Sequence, residues 1–343
     1  MQTFQRSNWL VLLLAAAAPL LAAGQLQAQS YSFTTLAGPP GTTSTALGGI
    51  DGNQIVGTSS AGGFIYNTTT SSYTSIATPG FSDGISGNYV VGNYPGGQTG
   101  QLEGFVYNVS TSTYITLNDP SASPPSFEQP YETLAYGVSG NLVVGNYPDA
   151  ASGLTLGFIY DISSSSYTTL ADPLSAGFTK ATGVDSDYVV GEYLSSLQGE
   201  PVGGPTNTVG FLYDMSTSSY TTLNDPLGVD GTFPTGVSGN EVIGFYADAA
   251  NAFHGFIYDI STATFTTVDN PAANETEFDA GTLPYGISGD TFVGNYYVTP
   301  ATSQAFIAVP TPEPSSLVLL GLGAIGLGAA AIRRGRQKQA ASM

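Results

Sequence analysis

The hydrophobic pattern of the chain is short and strand-like. In Gly137-Val138-Ser139-Gly140-Asn141-Leu142-Val143-Val144, two apolar stretches flank a Gly140-Asn141 pair. Both residues of that pair tolerate positive φ, which a two-residue type I′ turn requires, so the segment predicts a β-hairpin. Gly87-Asn88 and Gly239-Asn240 repeat the device, and Ser186-Asp187 is a weaker version. A second hairpin is predicted between Phe158-Ile159-Tyr160 and Tyr167-Thr168-Thr169-Leu170, joined by the polar, turn-prone stretch 161–166. Asp172-Pro173 then ends the strand, because proline cannot continue a sheet ladder. The doublets Val143-Val144 and Val189-Val190 add a constraint. Neighbouring residues of a strand point to opposite faces, so both faces of these sheets must be covered.

Three motifs recur six times in fixed order. Variants of Gly-(Ile/Val)-Ser-Gly-Asn-x-x-Val-Gly start at Gly49, Gly84, Gly137, Gly183, Gly236 and Gly286. Gly-Phe-(Ile/Val/Leu)-Tyr starts at Gly63, Gly104, Gly157, Gly210 and Gly255, with a degenerate copy at Ala305-Phe306-Ile307-Ala308. Variants of Tyr-Thr-Thr-Leu end at Leu36, Ile76, Leu117, Leu170, Leu223 and Val268. The Gly-Phe copies lie 41, 53, 53, 45 and 50 residues apart. Four short strands in such a period match a propeller blade. The predicted fold is therefore all-β: a six-bladed β-propeller of about 46-residue, four-stranded repeats over 29–309. An open solenoid is the rival architecture. The ends of the array bear on this choice. The chain enters on a third motif without its Gly-Phe partner and leaves on a Gly-Phe copy without its third motif. Joined, the two halves make one hairpin and close a ring.

Both ends of the chain are processing segments rather than fold. Residues 1–28 carry Arg6, an apolar run at 9–23 and small residues at Ala22-Ala23-Gly24 and Ala28. They predict a secretory signal helix cleaved after Ala28, or after Gly24. Residues 310–343 read Pro312-Glu313-Pro314, then an apolar run at 317–332, then Arg333, Arg334, Arg336 and Lys338. The run predicts a transmembrane helix with its basic tail on the cytoplasmic side.

Composition narrows the function of the segment between. It has no cysteine, so neither disulfides nor thiolate metal sites hold it. Lys180 is its single basic residue, against 24 acidic ones (25 less Glu313), a net charge near −23. Nucleic acid as a partner is excluded, because phosphate binding needs clustered Lys or Arg.

The order Pro-Glu-Pro, apolar helix, basic tail resembles the PEP-CTERM sorting signal of Gram-negative bacteria. That resemblance covers about the last 32 residues. It implies recognition of Pro312, Glu313 and Pro314 by an exosortase at the inner membrane, and export to the cell surface or matrix alongside extracellular polysaccharide. The repeats resemble the extracellular HAF repeats, most closely in Phe253-His254-Gly255-Phe256-Ile257-Tyr258-Asp259. The other five units lack that histidine, and the resemblance implies fold and location only.

Candidate chemistry is sparse. With one histidine and no cysteine, a nucleophilic triad has only His254 as base. His254 precedes a strand in a repeated slot and reads as an exposed loop residue. Asp185 with Asp187, or Glu275 with Glu277, would supply the two carboxylates of a glycosidase, but such pairs also read as solvated turn residues. Calcium is the cofactor that the abundant oxygen ligands suit, although the Asp residues after Gly-Phe-x-Tyr and before proline are explained by turns. No catalytic residue is assigned. The expected function is a non-enzymatic surface scaffold, with a polysaccharide-binding module or a polysaccharide-cleaving enzyme as alternatives. A buried acidic pair at the mouth of the ring would point to the enzyme.

Overall fold

The computed structural model describes residues 30–311, apart from 79, 97–100, 124–131, 196–206 and 278–279. Tyr31–Pro310 form a compact unit of six four-stranded antiparallel sheets. No helix occurs among the described residues, and so none that is long and apolar enough to cross a membrane. The predicted signal segment 1–28, the apolar run 317–332 and Pro312, Glu313 and Pro314 lie outside the described residues.

The two predicted hairpins are present in each complete repeat. In blade 3, Ser139 pairs with Leu142 across Gly140-Asn141, and Asp161 pairs with Ser166 across the second turn. Gly140 has φ of 56°, the left-handed conformation that favours glycine. Asp161 organises the second turn: its Oδ1 accepts the Ser163 N–H at 2.7 Å and the Ser163 hydroxyl at 2.5 Å.

The sheets are blades of a closed ring, and the seam shows it directly. The sixth sheet contains Thr282–Ser288, Thr291–Thr299 and Thr302–Pro310, and its outer strand is Tyr31–Leu36 from the other end of the chain. Leu36 faces Ala305 and Tyr31 faces Pro310 across this antiparallel pair. The innermost strands touch in sequence, Thr45–Asp51, Phe81–Ser86, Leu134–Ser139, Thr179–Val184, Thr232–Ser238, Thr282–Ser288 and back to the first.

The hydrophobic core is accordingly six slabs between blades. Val143 packs with Val91, Val106 and Leu117 of blade 2, whereas Val144 packs with Ala181, Val189 and Phe211 of blade 4. The valine doublet thus serves two interfaces at once. The slab of Leu47, Ile55 and Phe64 with Val293 and Ala305 joins blade 1 to blade 6 and completes the circle.

Polar links stitch neighbouring blades together. Near the turns, Asp51, Ser86, Asp185, Ser238 and Ser288 each accept a backbone N–H from the next blade, those of Gly87, Gly140, Gly239, Gly289 and Gly52, at 2.6–3.1 Å. On the other side of the ring, Asn93 donates to Ala135 O and accepts Ala135 N–H, at 2.8 and 2.9 Å. The residues matching Ala135 in blades 5 and 6 are Pro234 and Pro284, which have no N–H to offer. There the preceding blade uses a threonine hydroxyl as donor instead. Thr182 donates to Pro234 O at 2.7 Å, and Thr235 donates to Pro284 O at 2.9 Å.

Candidate functional site

Every innermost strand is bulged at the same place. Register shifts fall between Leu47 and Ile50, Ser82 and Gly84, Ala135 and Gly137, Ala181 and Gly183, Pro234 and Gly236, and Pro284 and Gly286. The extra residue of a bulge is unpaired, and its side chain is re-aimed. Here the slot holds Gly48 in the first blade and then Asp83, Tyr136, Thr182, Thr235 and Tyr285, and all six line the axial channel. One step below them the first glycines of the repeats close the ring. A Cβ on Gly183 would stand 2.8 Å from Gly236 Cα, and one on Gly286 would stand 2.7 Å from Gly49 Cα. This glycine collar narrows the channel beneath the bulged side chains.

Above the collar the channel widens into a cavity of about 470 Å³. Phe233, Phe245 and Tyr297 join Tyr136 and Tyr285 as its aromatic walls, and Lys180, Glu192 and Asn295 add polar groups. Lys180, the one basic residue between signal and tail, thus lies at this mouth. Its Nζ is 3.2 Å from Glu192 Oε1 and 4.6 Å from the centre of the Tyr136 ring. Asp83 is walled in by the inner strands yet open to channel water, and accepts a hydrogen bond from Asn93 Nδ2 at 2.8 Å. Burial pushes its carboxyl up to about 7, against the opposing effects of the Asn93 bond and the Lys180 charge.

That shift makes stability depend on pH. The folded pKa lies above the unfolded one, so the contribution is full below about pH 4 and is lost as pH rises through about 7. Asp83→Asn is expected to flatten this decline. The variant should gain about 2 kcal/mol over the parent at pH 8, each pKa unit being worth about 1.4 kcal/mol before screening by channel water. Urea unfolding at pH 4 and pH 8 checks it. An Asp83→Asn variant with the parent's pH slope would show that Asp83 stays ionised.

The candidates named from sequence are distributed otherwise. Asp185 is engaged in the inter-blade link to Gly239 and Asp187 sits in the adjoining turn, so this pair does not line the mouth. Glu275 lies beside His254, and Glu277 is exposed. The reading of His254 as an exposed loop residue is corrected. It lies within the strand Phe253–Asp259, pairs with Tyr246, and its side chain is 17% exposed. The strand begins earlier than the Gly-Phe motif, and the chain after Val268 covers it. Burial lowers the imidazole pKa, but the hydrogen bond that the ring donates to Asp269 and the surrounding carboxylates outweigh that, so the net shift is upward. Sequence reasoning missed Asp83, Tyr136, Tyr285 and Glu192. The available signal was the slot before each Gly-(Ile/Val), whose occupant changes from repeat to repeat.

The comparison that bears most on function concerns the end of the chain. Residues 310–334 match the PEP-CTERM protein-sorting motif. The chain carries an exosortase recognition signal. It marks a secreted, membrane-processed surface protein of Gram-negative bacteria. No curated protein matches the chain. Among solved structures, a TolB from Agrobacterium tumefaciens aligns at 13% identity and TM-score 0.50, over 83% of this chain and 100% of that one. The tricorn protease aligns at 11% identity and TM-score 0.50, over 78% of this chain and 27% of its own. TolB from Acinetobacter baumannii aligns at 12% identity and TM-score 0.42, and the chain spans 63% of its length. At these identities the likeness shows the propeller fold alone.

Proposed function

We propose that the chain is a surface or matrix protein whose propeller, residues 29–309, is a non-enzymatic scaffold that holds extracellular polysaccharide at its axial mouth. A signal at 1–28 exports it, and the segment 310–343 tethers it until an exosortase acts. The observation that carries the reading is the convergence of aromatic and hydrogen-bonding side chains on one cavity at the ring axis. Saccharide rings present apolar faces that stack on Tyr136, Tyr285, Tyr297, Phe233 or Phe245. Their hydroxyls suit Asp83, Glu192, Asn295 and Thr182. The cavity, at about 470 Å³, is within the usual range for small-ligand sites. With two carboxylates against Lys180, and about −23 over the domain, neutral and amine-bearing sugars are favoured over uronic acids.

The test is a glycan array probed with the full chain in detergent. Binding to neutral or amino oligosaccharides should appear and should fall at least about tenfold in Tyr136→Ala, a loss of the size expected for a buried aromatic anchor. An array without binding, or binding untouched by Tyr136→Ala, contradicts the reading. A second reading has one observation in its favour. Asp83 and Glu192 both face the mouth, and Asp83 is held near neutrality, as a general acid of glycoside cleavage would be. Release of reducing ends from a bound glycan, abolished by Asp83→Asn, would replace the scaffold with that enzyme.

A further inference from the structure

The six-fold repeat supplies its own control for unusual side chains. The slot before Gly-Phe holds Gly62, Glu103, Leu156, Val209, His254 and, in the degenerate copy, Gln304. The slot after the third motif holds Ala37, Ala77, Asn118, Ala171, Asn224 and Asp269. Blade 5 alone combines an imidazole with a carboxylate at these two places, and the chain after its outer strand adds Glu275. Five blades fold without this set.

Its geometry is that of a ligand set. His254 Nδ1 lies 2.9 Å from Asp269 Oδ2 and 3.8 Å from Glu275 Oε2, and one ligand atom from each residue falls within 4.8 Å of the others. Bonds of about 2.0–2.2 Å to nitrogen and carboxylate oxygen put ligand atoms about 3.0–3.5 Å apart in a tetrahedral shell. A small movement of Glu275 therefore completes three bonds and leaves a fourth position for water. Two ligands are held from behind. The imidazole stacks on Tyr246, with centroids 5.1 Å apart and planes at 21°, and Asp269 Oδ1 accepts the Gly255 N–H at 3.0 Å. Such outer contacts fix ligand orientation.

Charge points the same way. Asp248 approaches the far ring nitrogen at 3.7 Å, so three carboxylates surround one imidazole. Even a protonated His254 leaves a surplus of negative charge. Lys180, the only Lys or Arg among the described residues, is paired with Glu192 in another blade. A nitrogen ligand with two carboxylates suits a first-row divalent ion better than calcium or magnesium, which take all-oxygen shells.

We propose that His254, Asp269 and Glu275 bind a divalent transition-metal ion, zinc by preference, on blade 5. The site ties the segment after Val268 to the strand Phe253–Asp259. Calorimetry with zinc chloride on the EDTA-stripped full chain in detergent tests it, with calcium and magnesium chlorides alongside. One zinc per chain is expected, bound more tightly than either alkaline-earth ion. Glu275→Gln should weaken zinc binding at least about 10-fold and His254→Gln at least about 100-fold, since losing even a contact behind a metal ligand costs about 10–100-fold. His254 is the only histidine in the chain, so its imidazole resonances are unambiguous and should shift on zinc addition. Glu275 lies outside the buried cores, at 29% exposure, so Glu275→Gln stands as the test should His254→Gln misfold. No saturable zinc binding below millimolar concentration overturns the site. So does equal affinity in parent and Glu275→Gln, which would mark scattered surface carboxylates, and so does tighter binding of calcium than of zinc.

Discussion

Deleting residues 305–308 should destabilise all six blades together, not the last strand alone. Phe306 is fully buried between Phe33 and Phe292, with ring centroids 5.4 and 6.0 Å away, and Ala305 lies in the slab that joins blade 6 to blade 1. The deletion removes the partner of Tyr31–Leu36 and leaves unpaired edges on both sides of the gap. Truncating one buried phenylalanine costs about 3–5 kcal/mol, so the lost seam should cost more than that. At roughly 2–4 °C per kcal/mol for a domain of this size, the thermal midpoint should fall by at least about 10 °C. It should fall as one transition reported equally by near-UV and far-UV circular dichroism. Equal midpoints for parent and variant would mean that the array is an open solenoid whose end repeat frays by itself.

The second large effect is expected at the glycine collar. A methyl group on Gly183 meets backbone of the next blade, at 2.8 Å from Gly236 Cα and 2.9 Å from Thr235 O. Neither atom can rotate away as a side chain would. Gly183→Ala must therefore push two blades apart, and overpacking of this kind costs about 1–3 kcal/mol or more. The turn glycine Gly140 is the control. Its φ is 56°, but nothing lies within 4 Å of the added carbon, so Gly140→Ala should cost only about 1–2 kcal/mol of left-handed strain. Gly236→Ala should cost less than Gly183→Ala, because its added carbon meets Ile243, Ile287 and Tyr285 O only at 3.3 Å. Thermal unfolding of the set checks the order. A Gly183→Ala variant as stable as the parent would show that the inner strands are not in backbone contact.

How much of this was legible in the sequence depends on what repeats. Gly140-Asn141 and its copies announce their turns because a two-residue hairpin has few chemical solutions. Val143-Val144 announced two covered faces, and the slabs on either side of blade 3 are those faces. The split of one hairpin between Phe33 and Phe306 announced the seam. The channel was hidden for a different reason. A bulge adds one residue without altering the apolar pattern around it, so Asp83 and Thr182 read as ordinary strand positions. The first glycine of each repeat stands where neighbouring blades touch, a role that its place in a hairpin motif does not reveal. His254 was misplaced because its burial comes from Asp269 and Glu275, 15 and 21 residues further along. Asp185 reads as half of an acidic pair, yet it stands where four blades have serine and the first has Asp51, and it accepts the same kind of inter-blade bond.

The function rests on delivery to the surface, and the mass of the exported chain tests that most directly. In the proposed reading the prolines of Pro312-Glu313-Pro314, which cannot donate a helix hydrogen bond, would present the sorting motif to an exosortase as extended chain. In the same reading the apolar run 317–332 and the basic residues Arg333, Arg334, Arg336 and Lys338 would hold the substrate in the bilayer until cleavage. The intact mass is to be measured from a host with its exosortase and from the same host without it. With the enzyme, the surface-released chain should end near Pro312-Glu313-Pro314 and lack the apolar run. Without it, the chain should keep its tail and stay with the membrane. A tail retained in both hosts would contradict the sorting role and leave the segment as a plain anchor.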